Sequence, residues 1–209
     1  MNTGILAIWN DCLPEAETEY ENWYMGQHFP ERLGVPGFRV GRRYEAVSAE
    51  PRYFTFYDTE SPEVLMSQAY VERLNNPTPE TAAIMKSFRN MSRTVCHRVS
   101  QIGHIVAGHA VVARVDESPQ DAAAIQAAVM ETTGVTGSEA WQRVDVPDDG
   151  ATNESKFRDV PDQKIGAALV FHVMRVQDAL EATDALSAAL GEGAQIGAYQ
   201  LLCELRSET

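Results

Sequence analysis

Nothing in this chain narrows its fold as sharply as an internal echo: Gly34-Val35-Pro36-Gly37 returns a hundred positions later as Gly134-Val135-Thr136-Gly137. Self-similarity on that scale points to two copies of one folding unit, each stacking on the other to bury what it cannot bury alone. Past the glycines, Arg43 and Glu45 align with Arg143 and Asp145. Tyr53 to Tyr57 then aligns with Ala168 to His172, and Val64-Leu65 with Ala179-Leu180, once an insertion of about 15 residues is allowed. The insertion falls in the polar, turn-rich run 146–164 and reads as a long hairpin loop.

Each half spells the same series of elements. In the first, Gly4 to Asn10 is an apolar strand, and Pro14 opens a Glu-rich helix start whose helix runs to Phe29. Ala16, Tyr20, Trp23, Tyr24, Gln27 and His28 recur at three and four residues and so share one helical face. Strands are expected at Phe38 to Val47 and Arg52 to Asp58, then helical pieces capped by Ser61 and Thr78, then a strand at Thr94 to Gln101. The second half repeats the order: a strand at Ile105 to Val115, a helix starting at Ser118, and strands at Ser138 to Val144 and Ile165 to Met174. A helix over Val176 to Leu190, stopped by Gly191, and a strand at Ala198 to Leu205 close the series. The expected fold is α+β: two tandem ferredoxin-like βαββαβ units, residues 1–104 and 105–209, whose antiparallel sheets pack face to face as a single-chain dimeric α/β barrel.

Composition removes several classes of function. Thirty Asp and Glu against 17 Lys and Arg give a net charge of −13, which repels a phosphate backbone and disfavours anionic membranes. No apolar run reaches the ~20 residues that span a bilayer, and the N-terminus lacks a basic flank and cleavage site, so a cytoplasmic location is expected. Cys12, Cys96 and Cys203 fit no zinc-ligand spacing and read as small hydrophobes, and the five histidines at 28, 97, 104, 109 and 172 form no HxxxH pattern. No metal site and no cofactor are expected. An exposed strand edge leaves room for a homodimer.

The run Trp23-Tyr-Met-Gly-Gln-His28-Phe-Pro-Glu31-Arg32-Leu33, followed by Val35-Pro36-Gly37-Phe38 and Arg42-Arg43-Tyr44, resembles the dimeric α/β-barrel superfamily, and within it the EthD-like proteins. His28, Pro30, Pro36 and Gly37 carry the likeness, over residues 1–100. The resemblance implies a ferredoxin-like fold with a pocket between sheet and helices. The superfamily it implies spans cofactor-free monooxygenases, polyketide cyclases, lactone isomerases, haem-degrading enzymes and proteins of no known activity. A choice among these has to come from the site.

Seven residues are candidates for such a pocket: His28 and Tyr57 for catalysis, and Tyr20, Trp23, Tyr24, Arg43 and Tyr53 for substrate binding. A His with an ordinary pKa near 6.5 passes protons at neutral pH, a phenol polarises a substrate oxygen, and a guanidinium binds a carboxylate or stabilises an enolate. Arg43 with Glu45, and Tyr53 with Thr55 and Tyr57, share faces of their strands, but which face meets the helix is not set by the pattern. A structural role competes at each position. His28 suits a helix C-terminus, the aromatic stripe suits a core, and Arg32, Arg42 and Arg43 suit the surplus carboxylates. The second half, with Val129 to Thr133, Ala168 and His172 at the matching places, lacks the polar set. The leading expectation is a protein binding a small aromatic or carbonyl-containing molecule, as a cofactor-independent enzyme with proton transfer at His28. The alternatives are a non-catalytic assembly protein, and haem binding or degradation with His172 or His109 as axial ligand.

Overall fold

The computed structural model describes residues 3–146, 152–157 and 161–208. Eight strands are present: β1 (Gly4–Cys12), β2 (Phe38–Ser48), β3 (Tyr53–Thr59), β4 (Phe88–Ile102), β5 (His109–Val115), β6 (Val135–Arg143), β7 (Ala167–Val173) and β8 (Gln195–Arg206). The helices are α1 (Glu17–Trp23), α2 (Phe29–Leu33), α3 (Gln68–Asn75), α4 (Pro79–Ile84), α5 (Ala122–Met130) and α6 (Val176–Leu190). Proline at N1 and a side-chain cap act together on α4, where Thr78 accepts from the Thr81 N–H at 3.1 Å. The helix expected behind Ser61 is a 3₁₀ segment, Pro62–Met66, and the capped helix starts after Ser67 instead.

All strand pairs are antiparallel, and their order, β1-β3-β2-β8-β5-β7-β6-β4, closes on itself into one barrel. The expectation of two ferredoxin-like sheets stacked face to face is therefore wrong. The long outer strands of the two halves hydrogen-bond edge to edge: β2 over Val40–Ser48 with β8 over Ala198–Arg206, and β4 over Cys96–Ile102 with β6 over Ser138–Arg143. The reason lies in the backbone. Stacked sheets leave four rows of unpaired N–H and C=O groups, whereas closure pairs them and still buries one face of each sheet, now inside the barrel. Strand alternation then sorts the core. Trp9, Tyr44, Phe54, Phe56, Trp141 and Tyr199 fill the interior. The opposite faces carry helices, over Leu6, Tyr53 and Tyr57 in the first half and over Leu169, Phe171 and Val173 in the second.

Three backbone hydrogen bonds recur in the second half, but not at the spacing of the glycine echo. Val35 N–H to Arg32 O, Phe38 N–H to Val35 O and Glu60 N–H to Gly37 O recur as Thr132 to Val129, Val135 to Thr132 and Met174 to Gly134, 97 residues on in the helix-to-strand corner. The glycines that adopt positive φ are accordingly Gly37 (91°) and Gly134 (80°), which sit at different positions of the matched quartets. Arg43 thus corresponds to Ala140 rather than Arg143. Because Phe38 pairs with Thr59 and Val135 with Val173, Tyr57 corresponds to Phe171 rather than His172. Of the polar run 146–164, residues 147–151 and 158–160 lie outside the described residues.

Candidate functional site

The first helix does not run straight from Pro14 to Phe29. Between α1 and α2 the residues Tyr24–His28 form one π-helical turn, and the helix continues to Leu33. The extra residue in that turn rotates everything after it, a device that recurs at functional sites. It keeps Tyr24, His28 and Arg32 on the side facing the sheet, all of them buried. On the β3 face below, Tyr53 and Tyr57 point toward the helix and Phe54 and Phe56 into the barrel, which answers the question left open by alternation. At Gly41 of β2 a β-carbon would fall 2.7 Å from the Phe29 ring, so only glycine lets α2 settle this close.

The seven candidate residues divide into two neighbouring groups. Arg43 is buried, and its guanidinium lies against the rings of Tyr24, Tyr53 and Tyr20 at 4.3, 4.7 and 5.2 Å from their centroids. Its Nη1 and Nη2 both donate to the Glu21 carboxylate, at 2.6 and 2.7 Å. Burial works against the charge, but Glu21 more than offsets it, and the Arg43 pKa is raised. Tyr53 donates to Glu17 at 3.3 Å, and Trp23 donates through its indole to Thr81 at 3.2 Å. Tyr57 is sealed among Phe29 and Phe38, with its phenol pushed well above the usual range by burial.

Tyr24 and His28 belong to the second group, which lines a cavity of about 60 Å³. The His28 imidazole lies 4.4 Å from the Trp23 ring centroid and 5.1 Å from that of Tyr24. Asn10 of β1, Arg32 of α2, Tyr70 of α3 and Arg93 of β4 reach the cavity from other elements, with Glu154 from the long connection. Asn10 donates to the Tyr20 hydroxyl at 3.1 Å, and Arg93 to that of Tyr70 at 3.1 Å. Arg32 and Glu154 form a buried ion pair at 2.5 Å that ties the segment 152–157 over the cavity. Burial alone would lower the Arg32 pKa; the Glu154 charge reverses that and raises it. Burial also raises the Tyr24 pKa, so this phenol remains a hydrogen-bond donor across the neutral range.

Chemically, the cavity offers one imidazole, two phenols and the Arg32–Glu154 pair, already matched internally. That suits hydrogen bonding to a carbonyl and movement of a proton. Among the described residues no group of three His, Cys, Asp or Glu side chains is placed to hold a metal. Sequence reasoning found Tyr24 and His28, and took Arg32 as a partner for a carboxylate. It missed Asn10, Tyr70, Arg93 and Glu154, which come from four separate elements with no common spacing; a buried Asn in an apolar strand was the one available signal.

No family model matches the chain, and no curated protein does. Solved structures do. An anthrone oxidase-like protein matches with a TM-score of 0.60 at 8% identity, over 100% of this chain and 94% of that one. A protein provisionally described as a monooxygenase, from Fusobacterium nucleatum, matches with a TM-score of 0.59 at 9% identity, over 98% and 94%. A chlorite dismutase mutant from Candidatus Nitrospira defluvii matches with a TM-score of 0.51 at 10% identity, over 95% and 91%. The chain thus shares the overall fold of these solved structures. At 8 to 10% identity the likeness is one of fold alone.

Haem, one of the sequence-based alternatives, does not fit His172, one of the two histidines proposed for it. His172 is buried inside the barrel, with Nε2 3.2 Å from Glu139 Oε1, and His109 Nδ1 lies 3.3 Å from the Met174 carbonyl. No helix among the described residues is long and apolar enough to cross a membrane.

Proposed function

We propose that the chain binds a small carbonyl-containing or aromatic molecule in the cavity beside His28, and that His28 moves a proton on it without a cofactor. The observation that carries this reading is the π-helical turn, which places an imidazole and a phenol side by side in a polar cavity between helix and sheet. Tyr24, held protonated by burial, donates a hydrogen bond to the carbonyl oxygen, and His28 removes and returns a proton at the adjacent position. Arg43, with both Nη groups on Glu21, acts from beneath as the support that fixes Tyr24. The cavity as it stands admits a few heavy atoms, so a larger aromatic ligand enters with displacement of the segment that Glu154 ties down.

The EthD-like reading, resting on His28, Pro30, Pro36 and Gly37, and descent of residues 1–104 and 105–209 from one duplicated unit belong to the same proposal. The apolar counterparts in the second half, Ala140 for Arg43 and Phe171 for Tyr57, support one working site per chain. The test is binding and turnover across a panel of aromatic and polyketide-like carbonyl compounds, comparing the natural chain with His28→Ala. Loss of turnover in the variant is expected. Equal activity in both would take His28 out of the chemistry.

A further inference from the structure

The barrel interior opens at a second place, at the end where Arg114 of β5 pairs with Ala168 of β7. Arg114 is 8% exposed, its guanidinium lies 5.2 Å over the Trp9 ring, and its Nη2 donates to the Glu50 carbonyl at 2.6 Å. The other deeply placed arginines of known pairing, Arg32, Arg42, Arg43 and Arg98, each hold a carboxylate. Arg114 holds none among the described residues, although burying a cation without an anion is costly. In the same lining, Ser92 of β4 is 1% exposed, and its hydroxyl has no hydrogen-bond partner among the described residues. Both line a hollow of about 340 Å³, together with Gln163, Gln195 and Asp116.

We propose that this mouth of the barrel is a binding site for a small monocarboxylic acid, with the carboxylate on Arg114 and Ser92 and the body of the ligand along Gln163 and Gln195. The planar fork of Arg114 matches a carboxylate, and its remaining N–H groups form no bond among the described residues. Ser92 supplies a hydroxyl donor that otherwise stays unsatisfied. The amide side chains accept or donate to whatever polar groups the acid carries. Asp116 in the same lining and Asp11 and Glu50 along the adjoining hollow outnumber the one further cation among the described residues there, Lys164, and repel a second negative charge. Selection therefore runs toward monoanions and against dicarboxylates and sulfate. This site lies inside the strand cylinder, whereas the His28 cavity lies between strands and helices, and neither reading depends on the other.

The full-length chain labelled with ¹⁵N is titrated with acetate, benzoate, succinate and sodium sulfate at constant ionic strength, following the indole N–H of Trp9. A saturating shift with acetate or benzoate is expected, with succinate and sulfate weaker by about tenfold or more. Ser92→Ala is expected to weaken the monocarboxylates about three- to tenfold with an unchanged melting temperature, and Arg114→Lys about tenfold by loss of the fork. His28→Ala leaves the titration unaltered. No saturable shift, an equal response to sulfate, or titration curves in Ser92→Ala and Arg114→Lys that overlay the natural chain would each overturn the proposal.

Discussion

Arg43 shows how far a residue's neighbours decide its role. That it shares a face of β2 with Glu45, and Tyr53 a face of β3 with Tyr57, followed from strand alternation, whereas the turning of those faces toward the helix is set by the fold. That it spends both Nη groups on Glu21 did not follow either, because Glu21 sits on the first helix between two tyrosines of the buried face and looks, by position, like a solvated charge. A ligand carboxylate would have to displace Glu21. Glu21→Gln is expected to leave the guanidinium half-satisfied inside its box of rings and to cost about 2 kcal/mol, read from urea unfolding. If Arg43 served as an anion receptor instead, the same variant would bind carboxylates more tightly than the natural chain.

On the next scale up, the sequence announces the ends of the first helix and hides its middle. Pro14 at the start and Gly34 and Gly37 at the end are residues with one dominant backbone meaning, so the start was legible and the stop nearly so. The run Tyr-Met-Gly-Gln-His carries no such marker, and a π turn is fixed by packing against β2 and β3 rather than by its own residues. For the same reason the glycine echo misled by three positions: it matched letters, while the fold matches hydrogen bonds. Gly26 makes the turn testable. It is exposed, and a β-carbon there meets nothing within 4 Å, so Gly26→Ala is expected to stabilise the protein by about 0.5–1 kcal/mol in thermal melts. Deleting Gly26 should instead convert the π turn to α-helix and swing either the residues before it or those after it by about 100°. That deletion is expected to abolish ligand binding as fully as His28→Ala while far-ultraviolet circular dichroism stays native. Binding that survives it would show that the π turn does not place the site.

Across the whole molecule, the succession of strands along the chain was legible and their closure into one barrel was not, since edge-to-edge pairing of β2 with β8 and β4 with β6 is made by backbone groups that every sequence possesses. Closure has an electrostatic consequence at the end of the barrel opposite Arg114, where β3, β4, β6 and β7 bring Asp58, Arg98, Glu139 and His172 together. Arg98 donates to Asp58 at 2.5 Å and to Glu139 at 2.6 Å, the Trp141 indole donates to Glu139 at 2.8 Å, and Arg42 bridges Asp58 and Glu204 at 3.3 and 2.7 Å. Burial disfavours the Glu139 charge, but the contact with His172 and the charge of Arg98 overcome it and hold the carboxyl at about 2. A carboxyl depressed in the folded state stabilises fully above its unfolded pKa of about 4.3 and loses that contribution as the pH falls toward 2. Asp58, raised by burial, acts in the opposite sense: it favours the fold while protonated and gives that up as the pH rises. Protonating Glu139 also weakens the contacts that Trp141, His172 and Arg98 make with it. The natural chain is therefore expected to lose about 2 kcal/mol between pH 4.3 and 2 by this route. Glu139→Gln should lose a similar amount at pH 7 and show a flatter acid limb when urea unfolding is repeated across that window. Parallel acid limbs in the two proteins would mean that the cluster does not link the barrel's closure to pH.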